Sequence, residues 1–146
     1  MSTKFWIGVV SEDHVHVGVK GEFAQLCHGK AAPLKRMKQG DWIIYYSPKT
    51  SYPNGKPLKH FTAIGRIKSG EVYQFQMSSQ FIPFRIDVDY MECQAVSFDQ
   101  IKSKLDVYQT TSNIGLLFRR GHFEVSKEDF LTISTEMGIS INEMEF

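Results

Sequence analysis

Cysteine is scarce in this chain, and the partners that would give its two thiols a special task are missing. Cys27 and Cys93 stand far apart, and no CxxC pair occurs. Cys27 and His28 are adjacent, a spacing that does not let both reach one tetrahedral zinc ion, so no metal site is expected. A domain of this size needs no disulfide staple, which points to two reduced thiols in a cytoplasmic protein. No apolar run approaches the roughly 20 residues that cross a bilayer, so no membrane partner is expected. The opening MSTKFWIGVVSEDH places one lysine before a short apolar run and then turns acidic, which fits a first strand better than a secretory leader. GxGxxG, GxxxxGKS/T and HExxH motifs, a nucleophile elbow and a paired-carboxylate pattern are all absent. These absences weigh against a cofactor and against catalysis.

Net charge is small too, at +1, but it is unevenly spread. Residues 1–60 carry nine lysines and arginines against four acids, whereas residues 61–146 carry eight against twelve. Lys30, Lys35, Arg36 and Lys38 fall close together in the basic half. A basic face of this kind suits a phosphate backbone, and it would equally suit a solvated loop.

With 146 residues, 42% of them apolar, there is room for one domain and one core. The reading is a single domain over 1–138 and a C-terminal tail, expected to be loose, over 139–146. Strand signals dominate. Phe5–Val10, Phe23–Cys27, Trp42–Tyr46, Phe61–Ile67, Val72–Phe75, Phe84–Tyr90 and Gly115–Phe118 are rich in β-branched and aromatic residues. Gly70 predicts a tight hairpin, and Ser47–Leu58, with three prolines and an Asn-Gly pair, predicts a long loop of the kind that often builds a site. Ser11 is placed to cap a short helix. Phe98, Ile101 and Leu105 have helical spacing, and Ser126 with Asp129 opens a final helix that Gly138 stops. The class is α+β, with a strongly bent sheet or small barrel and helices outside it.

Binding is better supported than chemistry. An extended Phe23–Lys30 would put Phe23, Gln25 and Cys27 on one side, an aromatic, an amide and a small residue in line. These could suit a planar ligand or could be ordinary core. Tyr45, Tyr46 and Ser47 end an apolar strand, so one tyrosine must leave the core. An aromatic, an amide and a hydroxyl around a slot could stack on one extruded base and read its edge. Arg119 and Arg120 precede the FRRGHFE glycine and His122 follows it, where His122 fits a ligand contact or a packed ring equally well. Trp42 reads as core, while Trp6 could serve the core or the site.

The blocks FWIGVVSEDHV, FAQLCHGKAAPLKRMKQGDWIIYYSPK, FTAIGRI and FRRGHFEVSKEDF, in that order, resemble the EVE domain family of the PUA-like superfamily. The likeness runs from Phe5 to about Met137. It implies a strongly curved, mixed β-barrel flanked by short helices, and kinship with the YTH readers of methylated adenine in RNA. It also implies a nucleic-acid reader, in DNA or RNA, that takes a modified cytosine or a methylated adenine, with a functional link to restriction-type nucleases. By position it implies a base pocket of Ser11, Phe23, Gln25, Tyr45 and Ser47; Trp6 of the first strand, and His28 and His122 of the family's distinctive blocks, join them as candidates. Lys30, Lys35, Arg36 and Arg119 would hold the phosphates. Family members often carry an aromatic just before the position of Gly115, where this chain has Ile114, which would weaken stacking if that residue forms a wall. Three other functions remain open: an RNA-binding accessory domain that reads no single base, a small-molecule enzyme working through Cys27 and His28, and a pure protein-interaction module.

Overall fold

The computed structural model describes residues 2–146. Seven strands form one mixed sheet: β1 (Phe5–Val9), β2 (Phe23–Ala24), β3 (Trp42–Lys49), β4 (Pro57–Gln74), β5 (Phe84–Met91), β6 (Val96–Ser97) and β7 (His122–Val125). The strand order is β2-β5-β4-β3-β1-β7, with β6 paired to β4. The barrel expected from the resemblance is not closed, because the two ends of this path, β2 and β7, do not pair among the described residues.

Side chains that alternate along the central strands build two cores. Phe5 and Ile7 of β1 share one face with Trp42, Ile44 and Tyr46 of β3. Helices α3 (Phe98–Ile101) and α6 (Lys127–Glu136) cover that face through Phe98, Ile101, Phe130 and Ile133. Trp6, Ile43 and Tyr45 point the other way, under Val15 of α1 (Glu12–Gly21) and Leu34 of α2 (Ala31–Lys35). β1 and β3 run parallel, which requires a crossover; the segment holding α1, β2 and α2 supplies it. The C-terminal end of β1, the start of α1 and the turn after β2 nevertheless come together around one cavity.

Several elements differ from their sequence signals. Gly115–Phe118 is no strand; it lies within helix α5 (Ile114–Arg119), whose N-cap Asn113 accepts from the Leu116 N–H. A short apolar run fits either structure, and here packing decides, since Phe118 stacks on Tyr46 at 4.1 Å. Ile114 packs against the first core and is no cavity wall. Gly70 forms no hairpin, because β4 runs on through it with a shift of register against β5 between Ile67 and Val72. The strand expected over Phe23–Cys27 stops at Ala24. Within residues 139–146, Ile139 and Met144 are buried and Trp42 Nε1 donates to the Glu145 carbonyl at 2.9 Å. A short helix α4 (Asp106–Thr110) completes the set, and no helix among the described residues is long and apolar enough to cross a membrane.

Candidate nucleic-acid interface

Where the ends of β1 and β3 meet the first turn of α1, the structure opens a cavity of about 650 Å³. Its most unusual part is the turn after β2. Cys27, His28 and Gly29 follow one another at φ 50°, 60° and 84°, closed by Gly29 and Lys30 N–H bonds to the Leu26 carbonyl. A left-handed conformation costs about 1–2 kcal/mol at a residue with a Cβ, so Cys27 and His28 are held there against their own preference. Glycine is required at 29, because a Cβ would lie 2.5 Å from Pro83 Cβ. This turn ends the expected strand and swings His28 to the mouth, where its ring sits 5.4 Å from that of Tyr52.

The inner wall is polar and ordered. Gln25 Oε1 accepts from Arg85 Nε at 2.6 Å, and the Arg85 guanidinium lies between the rings of Phe23 and Phe75, 3.7 and 4.0 Å from their centroids. Tyr45 is buried, and burial pushes its phenol up to about 12, so the hydroxyl stays neutral. Ser11 stands at the N-cap of α1, but its side chain does not cap the helix. Its Oγ donates instead to Asp13 Oδ1 at 2.6 Å, and that same oxygen accepts from the His14 N–H at 2.8 Å.

The outer wall is cationic and apolar. Lys30, Lys49, Arg119 and Arg120 all line it, and the lining contains no aspartate or glutamate. None of these four forms an ion pair among the described residues. Val17, Tyr52, Met77 and Phe81 add exposed apolar surface to the lining.

Of the residues singled out in the sequence, Ser11, Phe23, Gln25, His28, Tyr45, Lys30 and Arg119 come together on this cavity. Five do not. Trp6 and His122 stack on each other in the core, centroids 4.6 Å apart, with Trp6 Nε1 donating to buried Asp41. Both rings are buried and neither lines the cavity. Ser47 is fully buried and pairs its hydroxyl with Thr62 at 2.8 Å. Lys35 and Arg36 are exposed at the end of α2, off the lining. Cys27 lines the cavity, its thiol facing the Arg120 carbonyl at 3.6 Å, with no bond to His28. Lys49, Tyr52, Met77 and Phe81 also line the cavity and were not singled out in the sequence. The first two lie in the proline-rich stretch already flagged. Met77 and Phe81 carried no signal.

Comparison with known proteins agrees with this architecture. The family model described as the EVE domain matches residues 4–136. The UPF0310 protein YdcG of Bacillus subtilis is 60% identical over 144 residues, covering 99% of each chain. A UPF0310 protein of Streptococcus mutans is 47% identical, over 92% of this chain and 96% of its own. Among solved structures, Rpa0253 of Rhodopseudomonas palustris superposes with a TM-score of 0.60 at 17% identity, over 99% of this chain and 100% of its own. A hypothetical protein from Leishmania major gives 0.60 at 10% identity, over 94% and 96%. At such identities these two structures speak for the fold alone.

Proposed function

This chain belongs to the EVE domain family, and on that premise we propose that it is a nucleic-acid reader whose cavity takes up a single, chemically modified base. What carries the reading is the lining: four unpaired cations, no carboxylate, and aromatic walls around a polar floor. Free cations without countercharge favour a polyanion, and they favour it along the rim, where a backbone would run. The aromatic and apolar faces of Phe23, Tyr52 and Phe81 suit a planar ring, at about 1–3 kcal/mol for each stacked base. A volume of about 650 Å³ falls in the usual range of small-molecule sites, about 300–1,000 Å³, and leaves room for a base with an added group.

The mechanism is passive. A base leaves its stack at a cost of a few kcal/mol and enters between the aromatic faces. Gln25, Tyr45 and Ser11 then meet its edge while the cations hold neighbouring phosphates. No bond is made or broken, and Cys27 serves as a small wall. A partnership with a restriction-type nuclease belongs to the same proposal, since a reader that only binds leaves cleavage to another protein.

Fluorescence anisotropy with short single- and double-stranded oligonucleotides tests this, each with and without modified cytosine or N6-methyladenine. The expected result is tighter binding to one modified oligonucleotide, lost in Gln25→Ala and weakened in Tyr52→Ala. Equal binding to all of them, unchanged in both variants, would refute the base-reading part and leave backbone contact only.

A further inference from the structure

Two bonds partly or wholly outside the lining decide which hydrogen-bonding groups the cavity can offer. The first is that of Arg85. Arginine has donors and no acceptor, so the Gln25 amide must turn its oxygen toward Arg85 Nε, as the 2.6 Å bond records. The Nε2 end, with two N–H groups, is the end left over. The stacking of Arg85 between Phe23 and Phe75 fixes this orientation further. The second is that of Asp13. A serine hydroxyl has one proton, and Ser11 commits it to Asp13 Oδ1. Burial pushes the Asp13 carboxyl up, but bonds from the Ser11 hydroxyl and the His14 N–H pull it below its ordinary range, so it remains an acceptor. Ser11 can therefore show a ligand only lone pairs.

Tyr45 completes the set. Its neighbour Tyr90 sends its own proton to the Phe23 carbonyl at 2.8 Å. The same Tyr90 hydroxyl faces the Tyr45 oxygen at 3.4 Å, a long contact in which Tyr45 is the acceptor, so the Tyr45 proton is left uncommitted. The cavity thus presents donors at Gln25 and Tyr45 and an acceptor at Ser11.

We propose that the cavity selects a base edge with an unprotonated ring nitrogen beside an exocyclic amine, and that Arg85 and Asp13 are the positioning residues that impose this choice. Cytosine and adenine share that edge. Their ring nitrogen and remaining acceptors meet Gln25 and Tyr45, and their amine donates to Ser11. Uracil, thymine, guanine and hypoxanthine set an N–H beside a carbonyl. Such an edge turns donor to donor and acceptor to acceptor, leaving groups unpaired in a closed space. The inference rests on the base-reading proposal above and deepens it.

The test uses the full chain and fluorescein-labelled single strands carrying one base between abasic positions. Two matched pairs isolate the edge: 5-methylcytosine against thymine, and adenine against hypoxanthine. A strand abasic throughout is the control. Within at least one pair the amino base is expected to bind about tenfold or more tighter. Whichever pair shows the gap identifies the source. Arg85→Met keeps an unbranched apolar chain between the two rings but frees the amide to turn over, and narrows that gap to within about threefold. Asp13→Ala, at an exposed position that tolerates change, narrows it independently by releasing the Ser11 proton. A preference for the keto base overturns the inference and leaves base reading intact. So does an amino preference that both variants keep in full. Equal binding of every strand, the abasic one included, overturns base reading and this inference together.

Discussion

Raising salt from 50 to 200 mM should weaken binding of a single-stranded oligonucleotide about fiftyfold. The figure comes from the cavity rim. Lys30, Lys49, Arg119 and Arg120 line it and have no acidic partner. If each neutralises one phosphate, the logarithm of affinity falls with the logarithm of salt at a slope of about −0.7 per contact, or about −3 for all of them. Lys49→Gln with Arg120→Gln removes two contacts, halves the slope, and reduces the loss over the same salt range to about sevenfold. Lys35→Gln with Arg36→Gln removes as much charge from the end of α2, off the lining, and should leave the slope unchanged. Anisotropy titrations at four salt concentrations read all three slopes. A slope near zero in the unaltered protein would refute the electrostatic reading. A slope that responds to Lys35 and Arg36 but not to Lys49 and Arg120 would place the backbone on another face.

Burial lowers the His122 ring to about 4, helped by nearby Arg36, and both of its nitrogens lack partners. The unfolded chain binds this proton from about pH 6.5 downward while the folded chain refuses it to about 4, so stability rises with pH across that window. The full effect is about 3 kcal/mol, and His122→Phe, which keeps the stack on Trp6, should flatten that part of the thermal stability–pH curve; an unchanged curve would sink the assignment. Asp41 accepts from the backbone N–H groups of Lys4 and Lys38, from Trp6 Nε1 and from Lys38 Nζ. In Asp41→Asn an NH2 faces donors, costing about 3–5 kcal/mol, and differential scanning calorimetry should find Tm lower by about 10 °C. Gly29→Ala meets both a left-handed backbone and Pro83, and should lower Tm and oligonucleotide affinity together. Iodoacetamide should label half-buried Cys27 ahead of Cys93, whose thiol burial pushes up, and the Cys27 adduct should block binding by filling the cavity; mass spectrometry with anisotropy checks both.

The strands over Phe5–Val9 and Trp42–Tyr46 were legible because runs of β-branched and aromatic residues are a local signal that packing in both cores reinforces. The errors fell where local signals point two ways. Leu116, Leu117 and Phe118 could be strand or helix, and only the partner ring of Tyr46 distinguishes them. Ser69 and Gly70 look like a turn, yet β4 absorbs them as an irregularity because β5 pairs with it both before and after them. In the site, Ser11, Gln25 and Tyr45 were visible as residue types. The hydrogen-bonding sense of Gln25 and Tyr45 was not, since it depends on Arg85 and Tyr90, which lie 60 and 45 residues away from them.

The strained turn after β2 explains how such distant segments come to share one cavity. Gly29 packs on Pro83, and its carbonyl accepts from the Phe84 N–H at 2.9 Å, which fixes the segment carrying Met77 and Phe81. Cys27 lies so near Gly121 that a Cβ there would come within 2.8 Å of its sulfur, which fixes the end of α5 with Arg119 and Arg120. One turn thus grips the apolar wall with one residue and the cationic wall with another. Relaxing Cys27 and His28 into ordinary backbone conformations would extend the chain and part the walls. The left-handed strain of about 1–2 kcal/mol per residue is therefore the cost of a cavity assembled before any ligand arrives. A cavity already formed spares its ligand the entropy of ordering the walls, which favours capture of a base that is itself only briefly out of its stack.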